Sequence, residues 1–242
     1  MPRTTIRELD PLLDSAAMGP ADWLRIAREI AAHHDDYDGF VVLHGTDTMA
    51  YSASMLSYML WGLNKPVIFT GAQMPIGFVR SDARENLITA LEIAAATQNG
   101  NPVVSEVSLY FNVLLIRGNR AQKIRSSTFA AFESENYPHL AEAGIQIEYN
   151  LAALRPYEPA SELKVISELD ANVAILKIFP GMSKEMVKGI FSVPSLKGII
   201  LETFGSGNTM KFDWFTDILA NEVKKGKLIL NVSQCIGGEV EQ

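Results

Sequence analysis

The chain of 242 residues has one cysteine, Cys235. A lone cysteine excludes an internal disulfide and suits a reducing compartment. It also lacks the Cys/His clustering of a zinc site. Histidine is scarce as well: His33, His34, His44 and His139 stand at spacings that suggest no metal centre. Positive charge is in deficit, with 21 Lys+Arg against 28 Asp+Glu and a formal net charge of -7. No basic stripe interrupts that deficit, so nucleic-acid binding is not expected. No run of about 18 apolar residues occurs, so no membrane span is expected. The opening MPRTTIRELDPLL lacks the apolar stretch of a signal peptide. What remains is an ordinary globular composition, 48% hydrophobic and 20% charged. The length suits one large domain or two small ones.

Several segments share one pattern. A short β-branched apolar run ends in polar, glycine-containing residues, and a helical period follows. Pro20 opens a helix over Ala21–His34 with Trp23, Ala27 and Ile30 on one face. Strand Phe40–Leu43 leads into HGTDT, then a helix over Met49–Leu60 with Met49, Ala53, Leu56 and Leu60 in register. Strand Val67–Thr70 ends in Gly71-Ala72-Gln73. Asp82-Ala83-Arg84-Glu85 reads as a capping box that opens a helix to about Thr97, with Leu87, Leu91 and Ala94 inward. Val107–Phe111 and Leu114–Ile116 read as strands. From Tyr149 to Leu163, with Pro156 and Pro159, the chain turns irregular. Beyond it come strands at Val173–Phe179, Lys197–Leu201 and Leu228–Val232. Pro180-Gly181-Met182-Ser183 opens a helix between the first two. This alternation predicts an α/β fold: a mostly parallel open sheet flanked by helices, with a second, smaller α/β domain.

In open α/β sheets, ligands bind beyond the carboxyl ends of strands. Two strand ends carry suitable groups, Thr46-Asp47-Thr48 and Ala72-Gln73. Local pattern alone favours a plainer role, with Asp47 or Thr48 capping the next helix for about 1 kcal/mol. Gln73 alone reads as a loop residue satisfying backbone groups. Gly205-Ser206-Gly207 lacks the spacing of either phosphate-binding fingerprint and reads as a turn. Lys123 follows Arg117-Gly118-Asn119-Arg120, a charge run of the kind that is usually solvated. Beside a threonine and a carboxylate it would instead suit proton transfer, if its pKa were lowered.

Six stretches together resemble the bacterial-type L-asparaginase family, most of all its cytoplasmic type I branch. They are DPLLDSAAM (Asp10–Met18), DDYDGFVVLHGTDTMAYSAS (Asp35–Ser54), KPVIFTGAQMP (Lys65–Pro75), RSDARENL (Arg80–Leu87), RGNRAQK (Arg117–Lys123) and LNVSQC (Leu230–Cys235). The resemblance implies hydrolysis of the side-chain amide of L-asparagine to aspartate and ammonia, without metal or cofactor. It implies a threonine nucleophile and an acyl-enzyme. It assigns Thr46 to proton relay and orientation of the attacking water. Lys123 would favour the deprotonated hydroxyl, and Asp47 would pair with Lys123 and receive the α-ammonium. Ser15, with Asp14, would hold the α-carboxylate and ammonium end. The Ala72 backbone would lie near the amide oxygen, with Gln73 in support.

The family opens on a strand ending in Thr-Gly-Gly-Thr-Ile, whose first threonine is the nucleophile. No such motif occurs in this sequence, and Thr4-Thr5, placed at the start of an edge strand, is no substitute. Against the family pattern, about fifty residues are missing before Met1, and the chain stops before the last helices. The expectation is a chain truncated at both ends and inactive alone, with strand edges left unpaired by the missing first strand. The expected layout is an asparaginase-type α/β domain over residues 1–150 without its first strand, a linker over 151–164, and a smaller α/β domain over 165–242. The resemblance also implies a homodimer or homotetramer, in the cytoplasm. Two other readings stay open: a glutaminase-type subunit of a tRNA-dependent amidotransferase, and a non-catalytic amino-acid-binding module.

Overall fold

The computed structural model describes residues 2–241. It contains two compact units, Met1–Leu169 and Asp170–Gln242. In the first, the main elements in chain order are α1 (Pro20–Ala32), β1 (Phe40–Leu43), α2 (Met49–Met59), β2 (Val67–Thr70), α3 (Ala83–Ala95), β3 (Val107–Phe111), β4 (Leu114–Arg117), β5 (Gln122–Lys123), β6 (Phe132–Glu133), β7 (Ala141–Ala143) and β8 (Ile147–Tyr149). Six of these strands form one sheet in the order β1-β2-β3-β4-β7-β8. The first three run parallel. β4, β7 and β8 then extend the sheet antiparallel, so the parallel character expected from the sequence holds for the half that carries the polar tips.

Burial follows position in the sheet. All four residues of β2 and all five of β3 are buried, which explains their unbroken apolar composition. β1 ends the sheet and is only half-buried, with Leu43 64% exposed. Side chains alternate across β2. Val67 and Phe69 pack with Met49, Ala53 and Leu56 of α2 and Ala27 and Ile30 of α1. Ile68 faces the other way, onto Ala90 and Ile93 of α3. Each large side chain buried in this way contributes about 1.5–3 kcal/mol.

The structure corrects two sequence expectations. The buried face of α3 is Asn86, Ala90 and Ile93, while Leu87, Leu91 and Ala94 are only partly covered. A polar residue heads the true stripe, and apolar spacing alone chooses the neighbouring one. Residues 2–9 form no strand and are mostly exposed. An extended segment becomes a strand only when a neighbour takes its N–H and C=O groups, and among the described residues β1 pairs only with β2. The irregular stretch 151–164 is tied to the first unit. Ala153 and Leu154 are buried, and Asn64 Nδ2 donates to the Ser161 carbonyl at 3.4 Å.

The second unit is a parallel sheet, β9 (Val173–Lys177), β10 (Gly198–Thr203) and β11 (Leu228–Ser233), in that order. Helices α4 (Lys184–Phe191) and α5 (Asp213–Lys224) pack on one face over Leu176, Ile199 and Leu201. Ser183 caps α4 by accepting the Met186 amide. Across the other face, Val173, Ile175, Leu228 and Leu230 are each more than half exposed.

Candidate active site

The parallel pairing of β1 with β2 brings their tips side by side: Leu43 is opposite Thr70, and the His44 amide donates to the Thr70 carbonyl at 2.9 Å. Glycine makes the approach possible. A Cβ on Gly71 would lie 2.2 Å from the His44 carbonyl oxygen. A Cβ on Gly45 would lie 2.5 Å from Ser15 Oγ, so the Asp14–Ser15 turn can lie directly on the HGTDT loop.

The plain capping roles do not hold. Thr48 is the N-cap residue of α2 but makes no side-chain cap. Its hydroxyl donates to the Ser15 carbonyl at 2.7 Å and holds the two loops together. Asp47 faces Lys123, whose Nζ donates to Asp47 Oδ1 at 2.9 Å and to Thr46 Oγ1 at 2.9 Å. The Lys123 side chain is 19% exposed and that of Asp47 69%, so the ammonium is sheltered while the carboxylate keeps a free side. Thr46 Oγ1 donates in turn to Gln73 Oε1 at 3.0 Å. Gln73 Nε2 donates to the carbonyls of Ser126 and Thr128, at 3.2 and 3.1 Å. Gln73 thus ties the β5–β6 hairpin, which carries Lys123, to the tip of β2.

The charge run ahead of Lys123 is not simply a solvated face. Arg117 is clamped by both oxygens of Glu106, at 2.5 and 3.1 Å, and stacks over the Tyr137 ring at 4.4 Å. Gly118 then passes so close to α2 that a Cβ would lie 2.6 Å from Ser57 Oγ. These contacts fix where Lys123 emerges. The cavity lined by Glu106, Arg117 and Tyr137, about 410 Å³, lies at the amino end of β3, away from the strand tips where ligands bind.

Ser15 is 5% exposed, and its hydroxyl has no hydrogen-bond partner among the described residues. Asp14 Oδ1 accepts the Ala16 amide at 3.0 Å, which fixes that turn. Of the residues singled out in the sequence, Thr46, Asp47, Lys123 and Gln73 form one hydrogen-bonded chain. Asp14, Ser15 and Ala72 border it through neighbouring loops. Three other groups, His44, Asp82 and Asn86, carry no role in the site from the sequence, where Asp82 reads only as a helix cap. His44 accepts from Ser52 at 2.8 Å, and Ser52 accepts from the Trp23 indole at 2.9 Å. Burial lowers the His44 pKa, with a smaller opposing effect from the Gly45 carbonyl. The ring is therefore neutral, donating from Nδ1 to Gly45 and accepting at Nε2. Asp82 and Asn86 anchor the Gly71–Met74 loop. The RSDARENL motif around them is visible in the sequence, but nothing in its spacing points to that role. Among the described residues no cluster of His, Cys, Asp and Glu is placed to hold a metal ion, and no helix is long and apolar enough to cross a membrane.

A family model described as "Asparaginase, N-terminal" matches residues 3–155, and one described as "Glutaminase/Asparaginase C-terminal domain" matches residues 172–242. The chain belongs to the asparaginase family. It is 44% identical to L-asparaginase 1 of Escherichia coli over 99% of its own length and 69% of that protein's. It is also 43% identical to the mouse 60 kDa lysophospholipase, covering 98% of this chain and 41% of that protein. The crystal structure of L-asparaginase I from Vibrio cholerae superposes with a TM-score of 0.92 at 44% identity, covering all of this chain and 72% of that one. These likenesses run through both units. The mixed α/β fold with its parallel strand tips is thus the asparaginase fold.

Proposed function

We propose that this asparaginase-family chain acts on L-asparagine, cleaving its side-chain amide to aspartate and ammonia. The observation that carries the reading is the Lys123 ammonium, held at 2.9 Å from both Thr46 Oγ1 and Asp47 Oδ1 beside the tip of β2. A cation at that distance favours the alkoxide form of a hydroxyl and lowers the cost of moving its proton. Hydrolysis runs in two acyl transfers. A threonine hydroxyl attacks the amide carbon, the C–N bond breaks, and ammonia leaves with a proton. Water, oriented by Thr46, then attacks the ester, and the threonine oxygen leaves. Thr46 relays protons between these steps, with Lys123 stabilising its deprotonated form.

The partly open Asp47 carboxylate suits the α-ammonium of an amino acid. The Ser15 hydroxyl, which lies against Gly45 and has no partner among the described residues, suits the α-carboxylate end together with Asp14. Ala72 offers main-chain groups to the amide. The attacking threonine is assigned to the family's Thr-Gly-Gly-Thr stretch, which does not occur in this sequence. These residues therefore supply the supporting half of the site. We place the protein in the cytoplasm as a homodimer or homotetramer, in keeping with its single cysteine. The first unit, with the expected domain over residues 1–150, carries the chemistry.

The test is ammonia release from L-asparagine by the 242-residue chain, beside a chimera carrying upstream the opening segment of the Escherichia coli relative. Activity in the chimera alone supports the assignment. Equal activity in the short chain would place the nucleophile among its own residues and overturn the roles of Thr46, Asp47 and Lys123.

A further inference from the structure

Asp82 stands at the N-cap position of α3, yet its carboxylate does not cap that helix. Its oxygens reach back instead. Oδ2 accepts the Gln73 amide and Oδ1 the Met74 amide, each at 3.0 Å. One turn further on, Asn86 is 1% exposed and uses both ends of its amide. Nδ2 donates to the Gly71 carbonyl at 2.9 Å and to Asp82 Oδ2 at 3.1 Å. Oδ1 accepts the amide of Asn112, in the β3–β4 turn, at 3.0 Å. A buried amide satisfied in this way is tolerated in a core. An apolar residue would fill the α3 stripe as well, but it could not grip a carbonyl.

What the grip sets lies one peptide away. The peptides joining Gly71, Ala72 and Gln73 are trans, and in a trans peptide the C=O and N–H point in opposite directions. Asn86 takes the Gly71 C=O, so the Ala72 N–H points away from Asn86. Asp82 takes the Gln73 N–H, so the Ala72 C=O points away from Asp82. Among the described residues neither Ala72 group has a hydrogen-bond partner. Two pinned peptides thus flank one residue whose own donor and acceptor are left unused at the tip of β2.

We infer that Asp82 and Asn86 are positioning residues that aim the Ala72 main chain at the side-chain amide of the bound amino acid. The inference rests on the asparagine reading above and names what distinguishes substrate from product. A fixed carbonyl accepts from an amide –NH2 and repels a carboxylate. A site built to use such a donor rejects the analogue that lacks it. Aspartate, formed in the second step, has no donor to offer and is released.

Calorimetric titration of the 242-residue chain with L-asparagine and L-aspartate tests this without depending on turnover. Amide ¹H–¹⁵N spectra follow Ala72 and Gln73. The wild type is expected to prefer asparagine, and bound asparagine should shift the Ala72 amide. Asp82→Asn turns an –NH2 towards one of the two backbone donors. It should keep aspartate affinity within about threefold and cut the preference for asparagine by about tenfold or more. Asp82→Glu keeps both acceptor oxygens and should recover part of that preference. Equal loss of both affinities in Asp82→Asn, or an unchanged ratio, reduces the pair to scaffold and overturns the inference. Should Asp82→Asn not fold, the wild-type Ala72 shift and Asp82→Glu decide: a still Ala72 amide rejects the inference. If the 242-residue chain binds neither amino acid, the same titrations of the chimera decide; a chimera that binds neither overturns the asparagine reading itself, and the inference falls with it. Binding of both without preference leaves that reading standing and removes only the aiming.

Discussion

The tip of β2 in the first unit and the tip of β10 in the second are built alike and used differently. Both end parallel strands in glycine-containing polar turns. At β10 the groups nearest the strand end bond to one another. Thr203 Oγ1 donates to Asn231 Oδ1 at 2.6 Å, Gln234 Nε2 donates to the Ile178 and Glu202 carbonyls, and Phe204 bridges Asn208. At β2 a similar network stops short. Gln73 and Met74 are anchored and Gly71 is gripped, but among the described residues Ala72 and the nearby Ser15 hydroxyl stay unpaired. Hydrogen bonding at the first tip leaves donors and acceptors for a ligand, whereas at the second it closes the turn.

If that contrast is right, substitutions at the two tips separate activity from stability. The largest effect belongs to Lys123→Met in the chimera with the upstream segment. Ammonia release should fall by about a thousandfold or more, with the unfolding midpoint nearly unchanged, since Asp47 is left in water. A normal rate would sink the Thr46–Lys123–Asp47 assignment. Next comes Gly71→Ala, which sets a methyl against the His44 carbonyl oxygen. Overpacking there should cost about 1–3 kcal/mol in urea unfolding; a neutral result would mean the two tips part easily. Thr203→Val at the other tip leaves the Asn231 acceptor without its donor. It should cost about 1–3 kcal/mol, and a matching loss of asparagine binding would erase the distinction between the tips.

The smallest effect is on pH dependence. Burial lowers the folded pKa of His44 below the ordinary 6.5, so below 6.5 the unfolded chain takes up the proton more readily. The stability that neutral His44 contributes is complete above pH 6.5 and is lost as pH falls towards its folded pKa. Thermal midpoints at pH 7.5 and 5.5 should therefore converge somewhat in His44→Gln relative to the wild type. An identical drop in both would show that His44 is not responsible.

The longer strands of both units, β1 to β4 and β9 to β11, are legible in the sequence because β-branched apolar runs are a dense local signal. So are the tips: HGTDT and TGAQ stand out against their flanks. Strands β5 to β8, two or three residues each, carry too little pattern to be read. The meeting of Lys123 with Thr46, 77 residues apart in sequence, is not legible. It depends on the antiparallel extension through β4 and on a two-residue hairpin strand, and neither carries a strong pattern. Helix α5 escapes a reading by local pattern although Phe215, Ile218 and Leu219 pack as a helical face; the loop-like Gly205–Asn208 region ahead of it dominates that stretch. Asp82 reads correctly as a helix start but not in its function. Sequence shows where a carboxylate stands on a helix, but only the folded loop shows which amides it takes.

The Ala72 main chain, held by the peptides on either side, has a consequence for how this site tolerates mutation. Its neighbour Gly71 takes a side chain only against the His44 carbonyl oxygen, but at residue 72 the binding groups belong to the backbone. The partly exposed alanine methyl takes no part in them. A library that randomises position 72 among small residues should retain function far more often than one at Gly71 or Asp82. The recognition element could then drift in sequence while its geometry stays fixed from behind.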